Sequence, residues 1–263
     1  MTLAVTDVGP GQPVVTIVHG FTQVGACMLP LANLLAVPCR LIDAPFHGAS
    51  VDVDVDLWDA GRQLAASTNG GVLVAYSMGA RIAIHALLAE PTCATAAVLV
   101  SGTAGIADPR LRAERHAADV ALADRIEQIG TKAFVDEWLH QPMFSRVPVD
   151  PSDRALRCVN RPDALAQSLR RLGQGVQEPL WDRLHEIAVP VVTVAGSDDP
   201  RYADNARRIA AGVVHGRAVI VRGSGHAVIA ERPHDVVAAI ASARKSDEPT
   251  GVRSRARPRA ERQ

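Results

Sequence analysis

Val72-Leu73-Val74-Ala75-Tyr76-Ser77-Met78-Gly79 decides the fold. The first four residues are apolar without alternation, as in a strand buried on both faces of a parallel sheet. From residue 78 to 88 the apolar residues recur at helical spacing, so the chain passes from strand to helix across Tyr76-Ser77. A serine on so tight a strand-to-helix turn has its hydroxyl exposed at the strand end, and small flanking residues let strand and helix approach. The usual pattern is G-x-S-x-G; here Ala75 takes the place of the first glycine. The competing reading of this segment alone is a helix N-cap serine, and the elbow is preferred over it.

Working outward, similar short apolar runs cover residues 14–18, 40–42, 96–100, 191–195 and 218–221, and each stops at polar or glycine residues. Helical spacing covers residues 57–67, 203–211 and 236–243. Strand–helix alternation predicts an α/β fold with a mostly parallel, doubly wound sheet. Ligands of such sheets bind beyond the carboxyl ends of the strands. Residues 107–184 break the alternation: they read as helical, polar and strand-free, and are expected to form an inserted helical cap. The expected organisation is an α/β core of residues 1–106 and 185–245, a cap of residues 107–184, and a disordered basic tail of residues 246–263. That tail carries Arg253, Arg255, Arg257, Arg259 and Arg262 between Pro249, Gly251 and Pro258, without apolar periodicity.

Two further loops complete a catalytic constellation. Gly196-Ser197-Asp198-Asp199 follows the run at 191–195, and Gly223-Ser224-Gly225-His226 follows the run at 218–221. The order Ser77, Asp199, His226 is that of α/β-hydrolase triads. A base must activate the hydroxyl, and an acid must orient and stabilise that base. Asp199 is preferred as the fourth residue of G-x-x-D, with adjacent Asp198 as the alternative. His19-Gly20-Phe21 follows the first run. In this fold the loop after that strand gives one oxyanion-hole N–H and the residue after the nucleophile gives the other, which assigns Phe21 and Met78. His19 itself reads as structural.

The bulk numbers exclude several classes. Hydrophobic residues make up 48% and charged residues 21%, with a formal net charge of zero. A balanced soluble chain of this kind carries no general field for nucleic acid. Four cysteines without paired spacing suggest reduced thiols and a cytoplasmic location. No apolar run reaches the ~18 residues of a membrane span. No metal-ligand spacing is present, and no metal or organic cofactor is implied.

The superfamily resemblance rests on His19-Gly20-Phe21, Asp43-Ala44-Pro45-Phe46-His47-Gly48, Ser77-Met78-Gly79-Ala80-Arg81 and Gly225-His226. The cap is more specific. Glu114-Arg115 precedes Asp119, Phe134-Val135-Asp136-Glu137-Trp138 precedes Gln141-Pro142-Met143-Phe144, and Arg157 and Asn160 precede Leu165-Ala166. Over residues 14–237 the chain resembles the 2-succinyl-6-hydroxy-2,4-cyclohexadiene-1-carboxylate synthases of menaquinone biosynthesis. It departs from the common patterns at Ala75, Phe46 and Ala80, where glycine is frequent. The resemblance implies a carbon–oxygen lyase that eliminates pyruvate from a cyclohexene bearing several carboxylates, with Ser77 acting as a base. It implies a small-molecule polycarboxylate substrate held by Tyr76, Arg81, Arg115, Trp138 and Arg157.

The residues themselves point the same way. Arg81 lies one helical turn after Ser77, on the same face. A cation in the first turn opposes the helix dipole, and an anionic ligand would compensate it. Arg115 and Arg157 could add bidentate carboxylate contacts, although each taken alone reads more readily as a structural salt bridge. Six of the nine aromatics (Phe21, Phe46, Tyr76, Trp138, Phe144 and Tyr202) fall in or near the proposed site segments, as expected for an apolar-walled pocket. Trp58, Phe134 and Trp181 fall elsewhere. The alternatives are a serine hydrolase of esters, thioesters or carbon–carbon bonds, and a non-catalytic binder of a small molecule. Arginines converging on Ser77 favour the lyase; arginines on the outer cap surface favour the hydrolase.

Overall fold

The computed structural model describes residues 2–245. Its seven strands are β1 (Val5–Val8), β2 (Val15–Val18), β3 (Cys39–Ile42), β4 (Val72–Tyr76), β5 (Ala96–Val100), β6 (Val191–Gly196) and β7 (Gly216–Val221). They form one sheet in the order β1-β3-β2-β4-β5-β6-β7. All neighbours pair in parallel except β1 with β3. The expected doubly wound α/β sheet is therefore present, with one antiparallel edge added.

Period-two alternation sends the side chains of the inner strands into two separate cores. Leu73 and Ala75 of β4 pack with α2 (Leu57–Ser67) and α3 (Met78–Ala89). Val72, Val74 and Tyr76 pack on the other face with α1 (Leu29–Leu35) and the last helix, Pro233–Lys245. That is why the sheet strands read as continuous apolar runs: both faces are covered. α2 begins where the Asp56 side chain caps it by accepting from the Asp59 N–H at 2.9 Å.

Between β5 and β6 lie α4 (Pro109–Leu139), α5 (Pro151–Arg157) and α6 (Pro162–Leu172). α4 is interrupted at Gly130 (φ 75°, ψ 165°), a backbone conformation that glycine adopts at little cost. α4 and α6 share a small core of Ala123, Ile126, Phe134, Leu165, Ala166 and Leu169. Asn160 ties this layer to the sheet: its amide donates to the Thr22 carbonyl at 2.8 Å and accepts from the Gly48 N–H at 2.8 Å. After β6 come α7 (Pro200–Gly212), α8 (Val228–Glu231) beyond β7, and finally α9 (Pro233–Lys245). None of the helices among the described residues is long and apolar enough to cross a membrane. The tail expectation for residues 246–263 lies outside the described residues.

Candidate active site

Ser77 has φ 51° and ψ −105°, a strained backbone for a residue with a side chain. Its N–H donates to the Val100 carbonyl at 2.9 Å, anchoring the turn to β5. The helix can start so close to the sheet because Gly79 has no Cβ; one there would lie 2.7 Å from the His19 carbonyl oxygen and 2.8 Å from that of Val18. The departure at Ala75 is tolerated in a fully buried position. The departure at Ala80 is matched across the interface: a Cβ on residue 102 would lie 2.7 Å from the Ala80 Cβ, and residue 102 is glycine. At the third departure, Phe46 adopts the positive φ (67°) that glycine would take more easily, with its ring in the core.

Ser77 Oγ lies 3.1 Å from His226 Nε2, and His226 Nδ1 lies 2.9 Å from Asp199 Oδ2. With the ring proton assigned to Nδ1, the imidazole donates to Asp199 and accepts from Ser77. Asp199 also accepts from the Tyr202 N–H at 3.3 Å, so one carboxylate caps α7 and orients the imidazole. The neighbouring Asp198 turns away and pairs with Arg146 of the cap at 2.5 Å. The two loops approach because residue 196 is glycine; a Cβ there would meet the Ser224 carbonyl oxygen at 2.1 Å. Ser101 Oγ donates to the His226 carbonyl at 2.8 Å, and Glu231 accepts from the Gly225 N–H at 2.8 Å. These bonds hold the histidine loop from both sides.

The Phe21 and Met78 N–H groups have no protein acceptor among the described residues. The loop that carries Phe21 is shaped by His19, whose Nε2 accepts from the Ala44 N–H at 3.0 Å while Nδ1 donates to the Gly20 carbonyl at 2.7 Å. Complete burial lowers the His19 pKa to about 4, so the ring is neutral and structural.

A cavity of about 380 Å³ opens beside Ser77 and His226. Arg81, Arg115 and Trp138 line it, with Phe21 and Met78. Arg81 is buried at 6% exposure; its Nη1 donates to the Leu172 carbonyl at 2.5 Å, and no carboxylate lies within ion-pair distance among the described residues. Burial pulls its pKa down to about 10, and the Arg115 charge pushes the same way. Arg115 is paired with the buried Asp119 at 2.7 Å. The buried indole N–H of Trp138 has no partner among the described residues. No cluster of three or more metal-ligating side chains occurs among the described residues.

Tyr76 and Arg157 do not join this group. They line a second cavity, of about 340 Å³, with Phe144, Leu139 and Ala227. The physical reason for Tyr76 is strand pleat: it is adjacent to Ser77 and packs into the opposite core. Arg157 is held by Asp153 at 2.6 Å and Thr22 Oγ1 at 2.6 Å. Sequence neighbours divide between the two cavities. Tyr76-Ser77, Trp138-Leu139, Met143-Phe144 and His226-Ala227 each give one neighbour to each side. Phe134, set apart from the site aromatics by sequence position, packs against Trp138 (5.9 Å between centroids) and Phe21 (6.3 Å). Sequence reasoning missed Gln174 and Arg201, which also line the first cavity. The available signal was position: Arg201 lies two residues after Asp199.

Residues 17–240 match the Alpha/beta hydrolase family. The chain is 33% identical over 248 residues to the putative 2-succinyl-6-hydroxy-2,4-cyclohexadiene-1-carboxylate synthase of Bacillus subtilis, covering 88% of this chain and 90% of that protein. It is 30% identical over 243 residues to the synthase of the same name from Salmonella typhimurium, covering 88% and 94%. Among solved structures, MenH from S. aureus superposes with a TM-score of 0.85 over 94% of this chain and 99% of that one, at 23% identity. A thermophilic esterase from Thermogutta terrifontis superposes with a TM-score of 0.75 over 94% of each chain, at 19% identity. At such identities the structures share the fold, whereas the sequence relatives carry the narrower grouping. The chain thus belongs to the alpha/beta hydrolase family and, within it, to the family of the 2-succinyl-6-hydroxy-2,4-cyclohexadiene-1-carboxylate synthases.

Proposed function

We propose that the protein is a carbon–oxygen lyase of menaquinone biosynthesis. It eliminates pyruvate from a succinyl-enolpyruvyl-hydroxycyclohexene carboxylate to give 2-succinyl-6-hydroxy-2,4-cyclohexadiene-1-carboxylate. The observation that carries this reading is Arg81: a buried guanidinium without a carboxylate partner among the described residues, in the cavity that holds Ser77 and His226. A buried cation is costly unless paired, and a substrate carboxylate supplies the pair. A neutral ester would leave it uncompensated.

Ser77, His226 and Asp199 act as one proton-transfer unit. The Ser77 oxygen takes a ring proton while its own proton passes to His226 Nε2, and Asp199 stabilises the imidazolium. The ring C–H electrons form the new double bond, and the bond between the ring carbon and the enolpyruvyl oxygen breaks. The departing enolpyruvate takes the proton back from the His226 imidazolium and leaves as pyruvate, which restores the neutral imidazole. The N–H groups of Phe21 and Met78 stabilise negative charge that develops on oxygen. Trp138 and Phe21 wall the ring, and Arg81 and Arg115 hold carboxylates.

The test is pyruvate release from that substrate. Wild type is expected to turn over rapidly, and Ser77→Ala to be slower by about 10²–10⁴-fold, the usual contribution of a positioned proton-transfer group. No release by wild type, with turnover of simple esters or thioesters, would replace the lyase reading by a hydrolase.

A further inference from the structure

We infer that Arg201 is a specificity-determining residue for the proposed polycarboxylate substrate: a rim cation that captures one carboxylate while Arg81 holds another at the cavity floor. The inference rests on the lyase reading for its substrate.

Arg201 is the second residue of α7, directly after Pro200. A positive charge in a first helical turn is disfavoured by the dipole, so its retention needs a compensating partner. The protein offers little. Among the described residues its one side-chain hydrogen bond is a long 3.4 Å contact to Gln174 Oε1, and its guanidinium stands 5.9 Å from the Tyr202 ring centroid. No carboxylate lies within ion-pair distance among the described residues. Arg207, farther along the same helix, shows the contrast: it pairs with Asp204 at 2.8 Å.

Gln174 gives Arg201 a fixed place. It is buried, it donates from Nε2 to Tyr202 Oη at 2.8 Å, and its other amide atom faces Arg201. Tyr202 in turn packs 4.4 Å from the His226 ring. The segment that aims Asp199 at His226 therefore also aims Arg201 at the cavity.

The charge balance sets the ligand class. Among the described residues three guanidinium groups line the cavity (Arg81, Arg115 and Arg201), against the single carboxylate of Asp119. Two positive charges remain over, which suits a ligand with at least two carboxylates. Arg81 is buried and Arg201 exposed. Such a gradient draws an anion in from the mouth, and a rim charge acts mainly on encounter and on salt dependence.

The experiment compares wild type, Arg201→Ala, Arg201→Lys and Arg207→Ala in pyruvate release at several ionic strengths. For Arg201→Ala, KM is expected to rise about three- to fivefold with kcat unchanged within about 1.5-fold, and kcat/KM to lose part of its salt dependence. Arg201→Lys should recover part of the loss, and Arg207→Ala should behave as wild type. An unchanged KM and salt dependence in Arg201→Ala, or an equal loss in Arg207→Ala, would overturn the inference. If wild type releases no pyruvate, the lyase reading fails on its own, and titration calorimetry with citrate decides for Arg201. Binding weakened about two- to fivefold in Arg201→Ala would uphold the rim cation, since an exposed charge pair contributes on this order. Equal binding, or none by wild type, would overturn it.

Discussion

Arg81 does two jobs that a single substitution separates poorly. Its guanidinium bonds the Leu172 carbonyl at the end of α6, joining α3 to the cap, and it also faces the cavity. Arg81→Met keeps the apolar stem and removes the charge, so it is the better probe than alanine. With the polycarboxylate substrate, kcat/KM is expected to fall by about 10²-fold, as for loss of a charge-assisted bond in a partly dry site. The thermal midpoint should stay close to wild type, because removing a buried cation offsets the lost hydrogen bond. Near-normal turnover by that variant would remove Arg81 from substrate binding. The sequence showed Arg81 because a helix repeats every 3.6 residues and Ser77 fixed the face. It showed Arg157 less well, though part of the answer was there: Asp153 precedes it by four residues on α5 and pairs with it. Tyr76 is a plainer case. Neighbouring residues on a strand face opposite ways, so adjacency to Ser77 argued against a shared cavity.

Elements that bury two faces or one broad stripe were legible; marginal ones were not. The five inner strands, β2 to β6, announced themselves as apolar runs, and so did the half-exposed edge strand β7 through its run at 218–221. β1 did not, because it is an exposed edge strand, Val5-Thr6-Asp7-Val8, whose placement comes from antiparallel pairing with β3 and the Asp7–Arg40 ion pair. α1 is a seven-residue helix that buries only Leu31 and Ala32, too short for a periodic pattern. Helix-to-strand spacing was also beyond the sequence, and it carries a prediction. α3 approaches the end of β5 so closely that Ala80 and Gly102 share one methyl's worth of space. Gly102→Ala should push α3 away from the sheet and destabilise by about 1–3 kcal/mol, the usual cost of overpacking. Since α3 begins at Ser77, turnover should fall with it. Adding Ala80→Gly to Gly102→Ala should recover part of the loss, beyond the sum of the two single effects. Additive destabilisation in urea denaturation would show that the two positions do not compete for that space.

At the scale of the molecule, the cost of the fold appears in its buried histidines. His19, His47 and His85 are buried at about 1% exposure or less, and each donates Nδ1–H to a carbonyl, of Gly20, Pro45 and Arg81 respectively. These bonds suit neutral rings, and desolvation penalises the charged form. Burial lowers the pKa to about 4 for His19, about 3 for His47 and about 4 for His85, from an ordinary 6.5. The direction of the linkage follows. Above pH 6.5 neither state binds the proton and nothing is lost. Between 6.5 and about 4 the unfolded chain takes up protons that the native rings refuse, so stability falls as the pH falls. From pH 7 to 5 each histidine costs about 1–2 kcal/mol, several kcal/mol together, against a total stability of typically ~5–15 kcal/mol. Arg81, lowered to about 10, titrates outside this window. The expected result is a urea midpoint that drops steadily from pH 7 to 5, with unfolding at pH 5.5 taking up about two to three protons. Calorimetry in buffers of different ionisation heat reads that uptake directly. A midpoint unchanged over the interval would mean that these rings accept protons in the native state, and that the loops shaped by His19 and His47 open far more readily than their burial implies.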